Sequence, residues 1–234
     1  MMYLNFNYWL FMIPAFIFTL ITQAMVNSAY RKWSKRKNSS GISGAEAGRR
    51  LLAQANLYDV SIEPVAGRLS DHYDPRSETL RLSEGVARSD SVAALAITAH
   101  EIGHALQDAQ GYMPLRIRAA LVPAVNIGSN LGWILIMIGL ILGGTLGTNM
   151  AWLGVAAFAL GLVFALATLP VELNASKRAR QLLVTSGYIQ TREEKQGVRS
   201  VLNAAAWTYV AAVASAALQL LYFVSLIGGR SRRR

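Results

Sequence analysis

Cysteine is absent from the sequence, and its absence excludes three kinds of chemistry. A chain without thiols forms no disulfide bond, binds no metal through thiolates and uses no cysteine nucleophile. The absence also fits a domain that faces a reducing cytoplasm. Histidine is rare as well, with three in the chain.

Charged residues are scarce, at 15% of 234 residues, whereas about 25% is usual for a soluble domain. Asp, Glu, Lys and Arg are missing altogether from residues 1–30, 119–171 and 200–229. Hydrophobic residues make up 53% of the chain. This distribution excludes a purely soluble chain, a disordered chain and a chain that lies entirely in the membrane. What remains is a membrane protein with a charged globular part about the size of one small domain.

The uncharged stretches are long enough for four membrane-spanning helices. A helix needs ~20 apolar residues to cross the hydrocarbon layer, because unpaired backbone groups are costly in lipid. The first and third stretches each supply one span, and the second supplies two spans joined by a short turn. The predicted spans are residues 8–26, 119–143, 150–169 and 203–227, with the turn at 144–149.

The basic residues predict which ends face the cytoplasm, because Lys and Arg near a span resist translocation. None precedes the first span, as is typical of an anchor with an external N-terminus rather than a cleaved signal peptide. None lies in the 144–149 turn, so we expect 31–118 and 171–199 in the cytoplasm. A fourth complete crossing would place the basic tail at 230–234 outside, against this rule. We expect four crossings with the tail as an exception; the alternative is a last segment that does not fully cross.

The strongest cluster of positive charge directly follows the first span. Residues 31–37 contain five cations among seven residues. A cluster directly after a span is typical of a topology anchor that touches anionic lipid headgroups. Binding of nucleic acid is the alternative that the sequence pI of 10.2 suggests. Neither stacking aromatics nor a recognised module accompanies the cluster, so no nucleic-acid partner is expected.

The charged part before the second span combines a helix with short strands. The apolar spacing predicts a helix over 44–56, and alternation predicts an edge strand over 60–65 and another strand over 78–82. Residues 71–76 are polar and predict a turn. We expect a small sheet edge of two or three strands, with 78–82 as a hypothetical docking edge for an extended peptide.

The sequence HEIGH, His100 to His104, lies within a predicted helix over 92–110. Asp90 or Ser91 is a good N-cap, and Gly111 suits the residue after the C-cap. Positions i and i+4 of a helix share a face, so His100 and His104 can direct both imidazoles at one ion. Glu101 reaches the same cleft, where it can accept a proton from an activated water. Zinc is the metal that suits neutral imidazole ligands.

Topology supplies a candidate third ligand, Glu172. A catalytic zinc site uses three protein ligands and one open position. Glu172 is the first charged residue after the third span, which returns to the face from which the second span starts. Two antiparallel spans with a short turn have adjacent ends, so Glu172 is expected beside His100 and His104. The alternative is a helix-end carboxylate that faces water.

Separate motifs between about residues 44 and 180 carry a resemblance to a known family. They are Asp71-His72-Tyr73-Asp74-Pro75-Arg76, Leu80-Arg81-Leu82-Ser83, the alanine-rich run into His100-Glu101-Ile102-Gly103-His104-Ala105-Leu106-Gln107, and Glu172-Leu173-Asn174-Ala175-Ser176-Lys177-Arg178-Ala179. Together they resemble the YugP-type bacterial neutral zinc metallopeptidases. More broadly, the order of motif, two spans and glutamate resembles the membrane-embedded gluzincins, the group that contains the heat-shock and prenyl-protein proteases.

The resemblance implies one Zn²⁺ per chain, held by His100, His104 and Glu172, with Glu101 as general base. It also implies a bacterial membrane peptidase. The chain departs from the pattern at Asn174, where aspartate is expected, and at Ser176, which replaces the aspartate of the wider group. Those departures leave open which residue orients the histidine ligands, and the candidates are Asp108 and Asp74.

His72 is the remaining histidine and a second catalytic candidate. It could donate a hydrogen bond to the oxyanion that forms when a peptide carbonyl is attacked. Alternatively, it is a turn histidine bonded to Asp74. Tyr73 and Arg178 are weaker candidates for the same role, and Arg178 also fits a topology cation.

The sequence therefore predicts a mainly α polytopic membrane protein with about four transmembrane helices and a small cytoplasmic α+β zinc-peptidase domain. The predicted function is endopeptidase cleavage of a protein or peptide substrate, membrane proteins included, at the cytoplasmic face of the bacterial inner membrane. The alternatives are a non-catalytic scaffold stabilised by metal and a polybasic tether. The sequence indicates no oligomeric state.

The predicted parts of the chain are an anchor at 1–30, a metallopeptidase part at 31–118, a transmembrane hairpin at 119–171, a cytoplasmic segment with the third ligand at 172–199, and a fourth apolar segment with the basic tail at 200–234.

Overall fold

Helices dominate the computed structural model, which describes residues 6–231 and the side chains of residues 8–229. The three residues at the end of the predicted basic tail, 232–234, lie outside the described range. In chain order the elements are α1 (Phe6–Trp33), α2 (Gly44–Gln54), β1 (Ser61–Val65), β2 (His72–Asp74), β3 (Thr79–Ser83), α3 (Glu84–Ala87), α4 (Val92–Ala109), α5 (Met113–Leu142), α6 (Gly144–Thr185) and α7 (Arg192–Ser231).

Four of the helices, α1, α5, α6 and α7, are long and apolar enough to cross a membrane. The prediction of a mainly helical polytopic membrane protein is thus confirmed. Each helix continues beyond its predicted span into charged sequence. The helical backbone bonds satisfy the peptide groups of these charged extensions as well as those of the apolar core, so a change in composition does not end the helix. The clearest case is α6, which runs without a break past Glu172 to Thr185.

The turn between the second and third spans is shorter than predicted. The sequence suggests a loop over 144–149, but α6 begins at Gly144, directly after Gly143. Both glycines have positive φ, 65° and 61°, a backbone conformation that glycine adopts without steric cost. Two such residues reverse the chain, and the expected loop is instead the first turn of α6, where the Thr148 hydroxyl donates to the Gly144 carbonyl at 2.8 Å.

The chain divides into two compact units, of which the first contains residues of α1, α5, α6 and α7. In this unit α5 and α6 form an antiparallel hairpin that packs backbone against backbone at pairs of glycines. A Cβ atom on Gly132 would lie 2.8 Å from the Gly154 carbonyl oxygen, so the contact requires glycine. Small residues at such positions let helices approach closely in lipid, where dispersion rather than the hydrophobic effect holds them together.

The second unit contains Thr22–Leu115 and Pro170–Trp207. Its core is built from side chains of α2, α4, the sheet and the charged ends of the long helices, including Leu51, Leu80, Leu95 and Leu183. The predicted helix at 44–56 is present as α2, with Ser43 as N-cap, and the predicted strand at 60–65 is present as β1. Both elements lie within two residues of their predicted ends.

The sheet has the order β1-β3-β2, in which β1 is parallel to β3 and β2 is antiparallel to it. Residues 71–76 are therefore not simply a turn, because His72–Asp74 pair with β3. The suggestion that 78–82 offers a docking edge is wrong for the same reason. Strand β3 lies at the centre with both edges paired, and its Leu80 and Leu82 side chains are fully buried.

Candidate metal centre

Helix α4 carries the HEIGH sequence, and local capping at both ends sets its limits. The Ser91 hydroxyl accepts a hydrogen bond from the Ala94 amide at the N-terminus. At the C-terminus, Gly111 has φ 62°, and the amides of Gly111 and Tyr112 donate to the carbonyls of Asp108 and Gln107. That pair of bonds is the Schellman arrangement, which satisfies carbonyls that the helix leaves free. The helix predicted over 92–110 is present as Val92–Ala109, with Ser91 as its N-cap and Gln110 as its C-cap.

The structure brings His100, His104 and Glu172 together. The Nε2 atoms of His100 and His104 lie 3.2 Å and 3.4 Å from Oε2 of Glu172. One nitrogen or oxygen from each of the three residues falls within 4.8 Å of the others. The histidines come from α4 and the glutamate from α6, and Glu172 is only 2% exposed. The alternative of a water-facing helix-end carboxylate therefore does not hold for Glu172.

The donor set fits zinc. Two imidazole nitrogens and a carboxylate oxygen are ordinary zinc ligands, and three protein ligands leave a fourth position open for water or substrate. Ligands held ~2.1 Å from a tetrahedral ion lie about 3.4 Å apart, close to the two distances between Glu172 and the histidines. Both distances from Glu172 therefore already suit a shared ion, and all three donor atoms lie within 4.8 Å of one another.

A close contact between the backbones of α4 and α6 makes this arrangement possible. Gly103 lies between the two histidines, and a Cβ atom at that position would lie 2.6 Å from the carbonyl oxygen of Ala175. A hydrogen atom is the only side chain that fits there. Because Ala175 is one turn after Glu172 on the same face of α6, the contact places Glu172 beside the histidines.

Glu101 is buried beside the three donor atoms, with 9% of its surface exposed. Its Oε2 accepts a hydrogen bond of 3.1 Å from the backbone N–H of Tyr73 on β2. Burial raises the pKa of the Glu101 carboxyl above its usual range, although the neighbouring histidines oppose the shift. A carboxylate with a raised pKa is a stronger base at neutral pH, which suits a general base.

His104 also carries a shifted pKa. Burial lowers it, but the hydrogen bond to Glu172 and the negative charges of Glu101 and Glu172 outweigh that effect, so the pKa of His104 is raised overall. Without a metal the ring is thus drawn towards its protonated form. A metal ion has to displace that proton, because only the neutral ring offers a lone pair.

The partners of the histidine Nδ1 atoms differ from those that the sequence suggested. Nδ1 of His100 lies 3.2 Å from the Ser176 hydroxyl, and Nδ1 of His104 lies 3.0 Å from Oε1 of Gln107. Ser176 occupies the position at which the wider group has aspartate. Gln107 was missed, although it lies three residues after His104 and so on the same helix face, which is a local signal that could have found it.

Neither aspartate proposed for this orienting role performs it. Asp108 accepts a hydrogen bond of 3.0 Å from the Tyr73 hydroxyl. Asp74 pairs with Nη1 of Arg81 at 2.9 Å, and Arg81 lowers the pKa of the Asp74 carboxyl to about 2. Both carboxylates serve to hold β2, because Tyr73 lies on that strand and Arg81 on its neighbour β3.

His72 lies on β2, directly before the residue whose amide contacts Glu101. Its side chain is exposed, and Nδ1 lies 2.8 Å from the Ser70 carbonyl oxygen rather than against Asp74. Its role as an oxyanion donor stays a prediction. Of the weaker candidates, Tyr73 has its hydroxyl committed to Asp108, and Arg178 donates to Asn174 and Gln110 at 2.6 Å each.

The chain belongs to a family whose description is "Putative neutral zinc metallopeptidase", and the family model matches residues 8–228. A relative from Bacillus subtilis (strain 168), named "Putative membrane protease YugP", is 45% identical over 209 residues. That match covers 89% of this chain and 91% of the relative. No solved structure matches the chain significantly. The resemblance drawn from the motifs is confirmed: this is a membrane protein of a zinc peptidase family.

The packing at Gly103 yields a first prediction. In Gly103→Ala the new methyl group forces α6 away from α4, and zinc affinity should fall at least about 10-fold as Glu172 withdraws. The matched control is Gly161→Ala, since a Cβ atom at Gly161 meets nothing within 4 Å. Competition with a chromogenic chelator measures both affinities. Equal zinc affinity in the two variants would show that the helix contact does not place the third ligand.

Proposed function

We propose that the chain is a membrane-embedded zinc endopeptidase that hydrolyses peptide bonds of a protein or peptide substrate at the cytoplasmic face of the bacterial inner membrane. In this proposal His100, His104 and Glu172 hold one zinc ion, and Glu101 is the general base. The observation that carries it is the convergence of three donor atoms beside a second buried carboxyl group, that of Glu101. The substrate class follows from the family and from the relative named as a membrane protease.

Zinc, when bound, would polarise the scissile carbonyl and lower the pKa of water in the open position. Glu101 then accepts the proton of that water. Its Oε2 is held by the Tyr73 N–H, so the proton goes to Oε1. The same carboxyl afterwards passes the proton to the leaving amine nitrogen, and Glu101 returns to its starting charge.

Glu101 separates this proposal from a scaffold that uses metal only for stability. A structural zinc site is closed by protein ligands and needs no base. Burial of the Glu101 carboxyl costs free energy, and a site that used metal only for stability would gain nothing from a second buried carboxyl that is not a ligand. The buried position of Glu101 therefore favours an enzyme.

The proposed orientation depends on the distribution of charge. Basic residues cluster in 31–50, 68–118 and 177–199, and none occurs between residues 119 and 171. His100, Glu101 and His104 belong to the second of these segments, and Glu172 lies five residues before the third, which supports a site on the cytoplasmic side. The run at 31–37 would then face anionic headgroups of the inner leaflet.

The second prediction concerns Glu101→Gln. The amide fills the same space and leaves the three ligands in place, so the variant should retain one zinc per chain. Cleavage of an unfolded reporter protein by the purified, detergent-solubilised enzyme should fall by ~10²–10⁴-fold, because no group remains to take the proton. Glu84→Gln, an exposed carboxylate of the same unit, is the matched control and should cleave at the wild-type rate.

Chelation of zinc should abolish cleavage by the wild type, and added zinc should restore it. A Glu101→Gln protein that cleaves at the wild-type rate would rule out the proposed base. A zinc-loaded wild type that cleaves none of a panel of unfolded and membrane-protein substrates would favour the metal-stabilised scaffold.

The third prediction concerns orientation, and the absence of cysteine makes it simple to test. Single cysteines placed at exposed Thr145 and Ala66 are the sole thiols in each variant. A membrane-impermeant maleimide should label Thr145→Cys in intact spheroplasts and Ala66→Cys only after permeabilisation. The opposite labelling pattern would place the site outside the cell.

A further inference from the structure

Gln107 is a buried polar residue for which the proposed reaction has no use. It lies in the last turns of α4, three residues after His104, and none of its surface is exposed. A buried amide is costly unless its donors and its acceptor are bonded. The partners of Gln107 therefore define what its amide group does.

The orientation of the Gln107 amide is fixed from the side of α6. Its Nε2 lies 2.8 Å from the backbone carbonyl oxygen of Val171. A carbonyl oxygen only accepts hydrogen bonds, so the atom that faces it has to be the amide nitrogen. The second hydrogen of the same nitrogen goes to Oδ1 of Asn174, at 3.0 Å.

Once the nitrogen faces α6, the amide oxygen has to face His104. Oε1 of Gln107 lies 3.0 Å from Nδ1 of His104, and an amide oxygen only accepts. The hydrogen of this bond therefore belongs to Nδ1. A neutral imidazole has one N–H, so the lone pair is on Nε2, the atom that lies 3.4 Å from Glu172 Oε2.

Asn174 holds Gln107 in this orientation. Its Oδ1 accepts from Gln107 Nε2 and also from Nε of Arg178, at 2.6 Å. Two donors directed at one oxygen prevent the Asn174 amide from turning over, and a carboxylate at this position would accept the same two bonds. The replacement of the expected aspartate by asparagine thus leaves the chain of hydrogen bonds intact.

The other histidine ligand is not constrained in the same way. Nδ1 of His100 faces the hydroxyl of Ser176, and a hydroxyl can either donate or accept. Ser176 is therefore compatible with either tautomer of His100. The contact with Gln107 permits a single tautomer of neutral His104.

We propose that Gln107 is a positioning residue that holds neutral His104 as the Nδ1–H tautomer and so presents Nε2 to the metal, with Asn174 fixing the Gln107 amide. This inference rests on the metal site of the proposed function, but it does not depend on the peptidase reaction. A metal ligand gains basicity and a defined ring orientation from an acceptor on its second nitrogen, and loss of such a partner costs about 10–100-fold in metal affinity.

Zinc affinity of the purified full-length protein tests the proposal, by competition with a chromogenic chelator. Gln107→Leu fills a similar volume without an acceptor and should bind zinc about 10–100-fold more weakly than the wild type. Gln107→Glu keeps an oxygen for His104 and should recover most of the lost affinity. Gln54→Leu removes the same amide group from an exposed position on α2, outside the chain of hydrogen bonds that reaches His104, and should bind zinc as the wild type does.

The two Gln107 variants separate positioning from packing. If Gln107 merely links α4 to α6 through the Val171 carbonyl, ionised glutamate cannot make that link and will bind zinc no better than leucine. Zinc affinity in Gln107→Glu no higher than in Gln107→Leu would overturn the proposal. Wild-type zinc affinity in Gln107→Leu would overturn it as well. Recovery in Gln107→Glu despite a melting temperature no higher than that of Gln107→Leu would support it.

Imidazole ¹⁵N labelling gives a second readout, since the chain has three histidines and their signals can be assigned by substitution. In the zinc-loaded wild type, the Nδ1 proton of His104 should resonate downfield and exchange slowly with solvent. Both features should disappear in Gln107→Leu, and their persistence would contradict the proposal. Wild-type protein that binds zinc but cleaves nothing would overturn the peptidase alone, whereas failure to bind zinc would overturn both.

Discussion

The backbone contact between α4 and α6 at Gly103 and Ala175 is the constraint on which the candidate metal centre depends. Three interactions of the centre cross the interface between these two helices: Glu172 with the histidines, Ser176 with His100, and Gln107 with Val171. Short polar side chains such as serine can bridge the helices only because their backbones touch. A wider separation would leave buried polar groups without partners, at a cost of about 1–3 kcal/mol for each.

The site shows how a small domain keeps several polar groups out of water. Glu101, Gln107, Glu172 and Ser176 are all buried, and each is hydrogen-bonded to a neighbour. Inside the protein such bonds are stronger than in water and hold side chains in single orientations. The same burial raises the pKa of the Glu101 carboxyl. Order among the ligands and the basicity of Glu101 thus arise from one physical cause, exclusion of solvent.

Structural features that depend on residues close together in the sequence were the most predictable. The four spans follow from runs of uncharged residues, and the limits of α4 follow from Ser91 and Gly111, because caps act within one helical turn. His100 and His104 share a face by helical geometry alone. The placement of Glu172 took one further step of inference: an antiparallel hairpin returns to the side from which it starts. The structure places Glu172 beside the histidines, while its role as a ligand stays a prediction.

Features that depend on distant contacts were not predictable. Strand order was one, since alternation identifies β3 as a strand but does not place it between β1 and β2. The ends of the long helices were another. Helix α6 does not end where the apolar run ends, because its backbone hydrogen bonds continue past Glu172. The partners of the ligands were the third. Asp108 was a candidate because it lies one turn after His104, but Gln107 lies there as well, and it is Gln107 whose side chain contacts Nδ1 of His104.

X-ray absorption at the zinc edge of the purified protein tests the central claim most directly, namely that His100, His104 and Glu172 hold one catalytic zinc. The account predicts one zinc per chain with nitrogen and oxygen neighbours at ~2.0–2.2 Å and the outer-shell scattering of two imidazoles. It also predicts that this scattering drops to one imidazole in His104→Ala. Zinc without imidazole scattering, or a spectrum that His104→Ala leaves unchanged, would contradict the account.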